Sequence, residues 1–109
     1  MTWKVNFYLT KRGDNPVRDF ASRQDLNTGS KIASAMELLI KGGPYLKPPH
    51  IKKIQDKLYE LRIPGKASVR IFYTISKSEY YLLHAFKKKS QKTPKRELKI
   101  ALDRMRDII

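Results

Sequence analysis

Three runs of alternating residues, separated by two short turn segments, constrain this chain more than anything else in it. They are Leu58-Tyr59-Glu60-Leu61-Arg62, Val69-Arg70-Ile71-Phe72-Tyr73 and Tyr80-Tyr81-Leu82-Leu83-His84-Ala85-Phe86. In the second run Val69, Ile71, Tyr73 and Ile75 share one parity while Arg70, Phe72 and Thr74 share the other, the period of a half-buried strand. Arg70 is therefore expected to point away from the core. Tyr59, Leu61 and Ile63 form the apolar parity of the first run, with Glu60 and Arg62 opposite, so two neighbouring strands aim an arginine at one face. Pro64-Gly65-Lys66-Ala67 and Ser76-Lys77-Ser78-Glu79 carry turn chemistry, and the economical reading is a three-stranded antiparallel meander.

The flanks supply a further strand and the helices. Trp3, Val5, Phe7 and Leu9 alternate with polar positions and predict a first strand over Trp3 to Thr10. Asn15 can cap a short helix that Pro16 begins and that buries Val17, Phe20 and Ala21. Ile32, Ala35, Met36, Leu39 and Ile40 recur at helical spacing, predicting an amphipathic helix that starts near Thr28, ends at Gly42-Gly43 and covers one face of the sheet. Prolines at 44, 48 and 49 predict an irregular basic loop from Pro44 to Ile54 carrying Lys47, Lys52 and Lys53. A last helix, capped by Thr93 and begun by Pro94, would bury Leu98, Ala101, Leu102, Met105 and Ile109 and turn Lys95, Arg96, Lys99, Arg104 and Arg106 outward. The expected architecture is α+β, a small antiparallel sheet of about four strands with two main helices packed on it, in a single domain spanning residues 1–109.

Charge narrows the partner. The chain has 24 Lys plus Arg against 10 Asp plus Glu, a formal net charge of +14. Nucleic acid is the usual counterpart of such a surface, because phosphate neutralisation and counterion release supply affinity without regard to sequence. No apolar run approaches the length of a membrane span, the first residues lack the apolar core of a signal peptide, and there is no cysteine. A cytoplasmic protein without membrane partners is expected.

Few catalytic chemistries survive inspection. Two histidines, no cysteine and no clustered carboxylates argue against a metal site, and neither a G-x-S-x-G nor a G-x-x-x-x-G-K motif is present; no cofactor is expected. What remains is Arg62 and Arg70, Lys53, the run Lys87 to Lys89, Lys92, several tyrosines and His84. A ribonuclease that uses the 2′-OH of its own substrate needs only a proton acceptor, a proton donor and cations around the scissile phosphate, and arginine's planar fork suits the last role. Arg62 could instead pair with Glu60 or Glu79, and Arg70 could simply be solvated, yet cations on adjacent strands repel unless an anion visits. For His84, a satisfied core histidine and a proton carrier both fit, since both parities of its strand are apolar.

At these residues the chain resembles a known family. Leu58-Tyr59-Glu60-Leu61-Arg62, the Val69-Arg70-Ile71-x-Tyr73 strand, Asn15-Pro16-Val17-x-x-Phe20 and, most specifically, Leu83-His84-Ala85-Phe86-x-Lys88-Lys89-x-Gln91-Lys92-Thr93-Pro94 followed by Glu97 and Ala101 are similar to the HigB-type toxins of the RelE/ParE superfamily. The resemblance implies a RelE-like fold, cleavage of messenger RNA in the ribosomal A site without a metal, and a helix-turn-helix antitoxin of the HigA kind. It also implies roles: Arg70 at the scissile phosphate, Arg62 closing the preceding strand, and Lys88 and Lys89 as the basic pair after the last strand. Catalytic candidates are thus Arg62, Arg70, His84 and Lys88, and phosphate contacts Lys53, Lys87, Lys89 and Lys92. Glu60 stands where some RelE relatives carry a lysine, which leaves Glu60 and His84 as alternative bases. Two other functions fit the same chain: a ParE-like toxin that inhibits DNA gyrase without cleaving RNA, and a plain basic RNA-binding module.

Overall fold

The computed structural model describes residues 1–109. Its five strands are β1 (Val5–Phe7), β2 (Ile51–Gln55), β3 (Leu58–Arg62), β4 (Val69–Ser76) and β5 (Glu79–Lys87). The helices are α1 (Pro16–Ser22), α2 (Leu26–Gly42) and α3 (Lys95–Ile108), with a 3-10 turn at Gly43–Tyr45. The strands form one sheet in the order β1-β5-β4-β3-β2, with β1 parallel to β5 and every other pairing antiparallel. The α+β architecture holds, with one strand more than the alternation suggested.

Local chemistry sets the element ends. Asn15 accepts a hydrogen bond from the Arg18 amide and Pro16 opens α1, as the cap pattern required. The cap of α2 is Asp25, whose carboxylate accepts from the Thr28 amide at 2.7 Å, so this helix starts ahead of Thr28. Pro94, not Thr93, occupies the cap position of α3. Lys77 and Ser78 take φ of 51° and 66°, giving the two left-handed residues that a tight β4–β5 hairpin demands.

Three expectations fail for physical reasons. The segment read as loop contains β2: all three prolines precede it, and its residues pair with β3 on one side only, leaving an edge whose lysines discourage further pairing. The first strand is shorter than Trp3 to Thr10, because β1 pairs with β5 only from Val5 to Phe7. The third failure concerns sidedness. In the β4–β5 pairing Phe72 faces His84 while Tyr73 faces Leu82, so Leu83 is a bulge. The extra residue breaks the parity of β5: Tyr80, Leu82 and Ala85 join the core under α1 and α2, whereas Tyr81, Leu83 and Phe86 pack toward α3.

The sheet consequently buries both faces. Val17, Ile32, Ala35 and Leu39 of α1 and α2 lie over Leu61, Ile63, Val69 and Ile71 in a cluster of 12 buried residues. On the opposite face Ala101 and Met105 of α3 lie over Leu58, Phe72, Leu83 and Phe86 in a cluster of 7 that also takes in Tyr8. Arg70 belongs to this second face. Its side chain is only 19% exposed, so the expectation of a residue pointing away from the core is corrected by the neighbour described next.

Candidate functional site

Arg62 and Arg70 are direct partners across β3 and β4, at the end of that hairpin nearest its turn, and both therefore project on the α3 face. Two like charges in that position need an anion, and Glu60 provides it from one pleat further along β3. Its Oε1 lies 3.3 Å from Arg62 Nε and 3.6 Å from Arg70 Nε, and the residue is 1% exposed. Arg70 further donates from Nη1 to the Val69 carbonyl at 3.1 Å. Arg62 keeps 34% of its side chain exposed. Two buried polar atoms in the group have no hydrogen-bond partner, Glu60 Oε2 and Arg70 Nε. The alternative in which Arg62 pairs with a strand carboxylate is thus realised through Glu60, while Glu79 sits at the far end of β5 with Asn6 and Lys4.

Beyond Arg70 the surface opens into a depression of ≈ 380 Å³ lined by Ser68, Arg70, Lys88, Lys89, Ser90 and Gln91, none of them hydrophobic. The Lys88 amide donates to the Ser68 carbonyl at 2.9 Å, which ties the segment after β5 to the β3–β4 turn and brings the lysines beside the arginine. A second depression adjoins it on the other side of Arg70, between His50, Arg62, Pro64, Gly65 and Ser68. Arg70 and Ser68 line both, so Arg62, Arg70, Lys88 and Lys89 border two adjoining depressions, the first polar and the second walled largely by Pro49, Ile63 and Pro64. Such an arrangement can hold a phosphodiester and stabilise negative charge developing on it.

The other candidates lie elsewhere. Lys53 pairs with Tyr59 and Lys87 with Val69, both on the α1 and α2 face, so register carries these lysines away from the arginines. Lys52 is the β2 lysine opposite Glu60. Lys92 is exposed in the segment before α3 and lines neither depression. His84 is held under α3. Its Nε2 is 2.6 Å from Glu97 Oε1, its Nδ1 is 3.3 Å from Arg104 Nη1, and its ring stacks on Phe86. Burial pulls its pKa below the usual 6.5, against the Glu97 hydrogen bond and with the help of the Arg104 charge. The neutral ring with a proton on Nε2 satisfies both neighbours, as a structural histidine does.

Arg104 was expected on the solvent side of α3 but turns inward, donating from Nη1 to the Leu83 carbonyl at 2.8 Å and lying 5.5 Å from the centre of the Tyr8 ring. Its guanidinium is pulled down from its ordinary value by burial. No three His, Cys, Asp or Glu side chains converge as metal ligands would. Polar residues that line the depressions and are not among the candidate site residues are Ser68, Ser90, Gln91 and His50. Gln91 belongs to the motif after β5, but nothing in the composition of the others distinguishes them from ordinary loop residues.

Residues 19–106 match the family model described as phage derived protein Gp49-like (DUF891), which takes in every residue around both depressions. No curated protein matches the chain.

Proposed function

The chain belongs to the phage-derived Gp49-like family, a RelE/HigB-like toxin family of toxin–antitoxin systems, and from that premise we propose that it is the toxin of such a pair, cleaving ribosome-bound messenger RNA. The observation that carries this reading is the assembly of Arg62, Arg70, Lys88 and Lys89 around two adjoining depressions at the end of the sheet. Arg70 and the two lysines hold the scissile phosphate. Arg62 takes an adjacent phosphate oxygen or the next phosphate along the strand.

The nucleophile is the 2′-OH of the nucleotide preceding the cut. Its oxygen bonds to phosphorus as the bond to the 5′-oxygen breaks, leaving a 2′,3′-cyclic phosphate and a free 5′-hydroxyl. The proton lost from the 2′-OH passes to solvent, and the leaving oxygen takes one from the lysine ammonium groups. The fixed cations stabilise the charge that builds on the phosphoryl oxygens. His84 receives no proton-transfer role here, because both ring nitrogens are engaged with Glu97 and Arg104. A basic toxin of net charge +14 needs an inhibitor in the cell that makes it, and the partner is a helix-turn-helix antitoxin of the HigA kind.

The test is to add purified protein to translating ribosomes and map the message ends. Cuts in the A-site codon are expected from the wild type, with Arg70→Lys slower by about 10²-fold or more, because a lysine cannot reproduce the planar fork. Intact message together with loss of DNA supercoiling by gyrase would move the assignment to the non-nuclease toxins. His84→Gln is expected to leave the pH dependence of cleavage unchanged, and loss of a titration below the usual 6.5 would restore the histidine as a proton carrier.

A further inference from the structure

Glu60 is the least expected residue on the α3 face: a carboxylate 1% exposed, flanked by two guanidinium groups and opposite Lys52 in the β2–β3 register. A general base must reach the proton that it abstracts. Glu60 lines neither depression, and both of its charged contacts are to arginine Nε atoms that lie between it and the substrate surface. As a core residue it is equally odd, since a buried charge is expensive and an apolar side chain beside Phe72 would stabilise the sheet at least as well. The arrangement makes sense through the arginines. Arg62 donates from Nε to the carboxylate Oε1 at 3.3 Å, while Arg70 is held by charge attraction, its Nε 3.6 Å from the same oxygen, and by its Nη1 bond to the Val69 carbonyl; both forks are thereby fixed in rotation, with the Nη atoms of Arg62 and Nη2 of Arg70 left for another anion.

We propose that Glu60 is a positioning residue, which holds Arg62 and Arg70 side by side so that the two guanidinium groups meet one RNA backbone in a fixed orientation. This deepens the ribonuclease reading and rests on it for its kinetic consequences. Without the carboxylate the two cations separate into solvent, keep their charge and lose their alignment. Affinity for RNA then survives, since it depends on charge, while the chemical step slows, since it depends on geometry.

Glu60→Gln tests this, because glutamine keeps the size and one acceptor but not the charge. With wild-type protein cleaving ribosome-bound message, the variant is expected to bind a message carrying a 2′-O-methyl group at the cut site as tightly or more tightly. Its single-turnover cleavage should fall about 10²-fold with an unchanged pH profile. Glu60→Asp, which keeps the charge but retracts it, should fall between the two, and it serves in place of the glutamine variant should that one fail to fold. Three outcomes overturn the proposal: wild-type cleavage in the glutamine or aspartate variant, a loss of RNA affinity matching the loss of rate, or a pH profile that loses its acidic limb, which would make Glu60 the base. A second measurement does not depend on cleavage. The Arg62 and Arg70 Nε–H resonances should be protected from exchange in the wild type and lose that protection together in Glu60→Gln. Unprotected resonances in the wild type, or protection that survives the substitution, would overturn the positioning role even if the protein is no nuclease. Intact message with these resonances behaving as expected would instead locate the error in the ribonuclease reading.

Discussion

The two faces of the sheet are built on different principles. Under α1 and α2 the 12 buried residues are all apolar or aromatic, and burial alone accounts for their cohesion. Under α3 the cluster is 7 residues, and much of the remaining contact is polar: Tyr8 donates to Asp107 at 2.6 Å, Arg104 to the Leu83 carbonyl, His84 lies against Glu97, and Glu60 binds two arginines. The first face needs only volume and shape. The second needs each group to find its partner, because an unpaired buried donor or acceptor loses its full hydration. Every candidate phosphate-binding side chain that the fold brings together is associated with the second face or the loops at its end. On the proposed function, arginines that meet a substrate cannot be covered by hydrocarbon, and the helix on this face is held by hydrogen bonds as well as by its apolar residues.

This contrast can be broken by substitution. Leu39→Ala removes a fully buried side chain from the apolar face and should destabilise the protein by about 2–5 kcal/mol, read from the urea midpoint. Arg104→Met retains bulk on the polar face but leaves the Leu83 carbonyl and His84 Nδ1 without their donor, for an expected loss of about 1–3 kcal/mol. A loss as large as that of Leu39→Ala would mean that α3 is the main anchor and that the asymmetry runs the other way. Tyr8→Phe deletes one hydrogen bond to Asp107 and should cost about 1 kcal/mol.

The smallest effect is in pH dependence and belongs to the polar face alone. His84 has its pKa lowered in the folded state, so between that value and the unfolded 6.5 the unfolded chain binds more protons. Its contribution to stability is complete above 6.5 and declines as pH falls below it. His84→Gln should flatten that part of the stability profile, whereas Leu39→Ala should shift the whole profile without changing its shape. An unchanged profile in His84→Gln would show that the histidine is as accessible to protons when folded as when unfolded.

What could be read from the residues alone follows the same division. Period-2 runs marked β3, β4 and β5 because their inner parity is apolar, and Asn15-Pro16 marked the start of α1 because a cap is a local interaction. Placing Arg62 and Arg70 on one face needed only their parity in adjacent strands. Sidedness beyond that was out of reach. The Leu83 bulge inserts one residue that no periodicity announces, and strand register alone decides that Lys52 rather than Lys53 shares the face of Glu60. β2 hid because an edge strand with lysines at successive positions shows no alternation. Glu60 and Arg104 read as outward charges, since nothing local to either shows that the other face of the sheet is also covered.

The pairing of β1 with β5 couples the two extremes of chain order: Val5 to Phe7 meet Tyr80 to Leu82, and Trp3 is further tied to the Ile40 carbonyl. During synthesis the first strand must wait with one edge unmatched until the last strand has left the ribosome. Contacts of such wide sequence separation slow folding relative to a helical bundle of equal length. The surface shared by Arg62, Arg70 and Lys88 is completed by the segment after that same last strand, so a nascent chain can hold the two arginines on the β3–β4 hairpin but gains the lysines beside them only late.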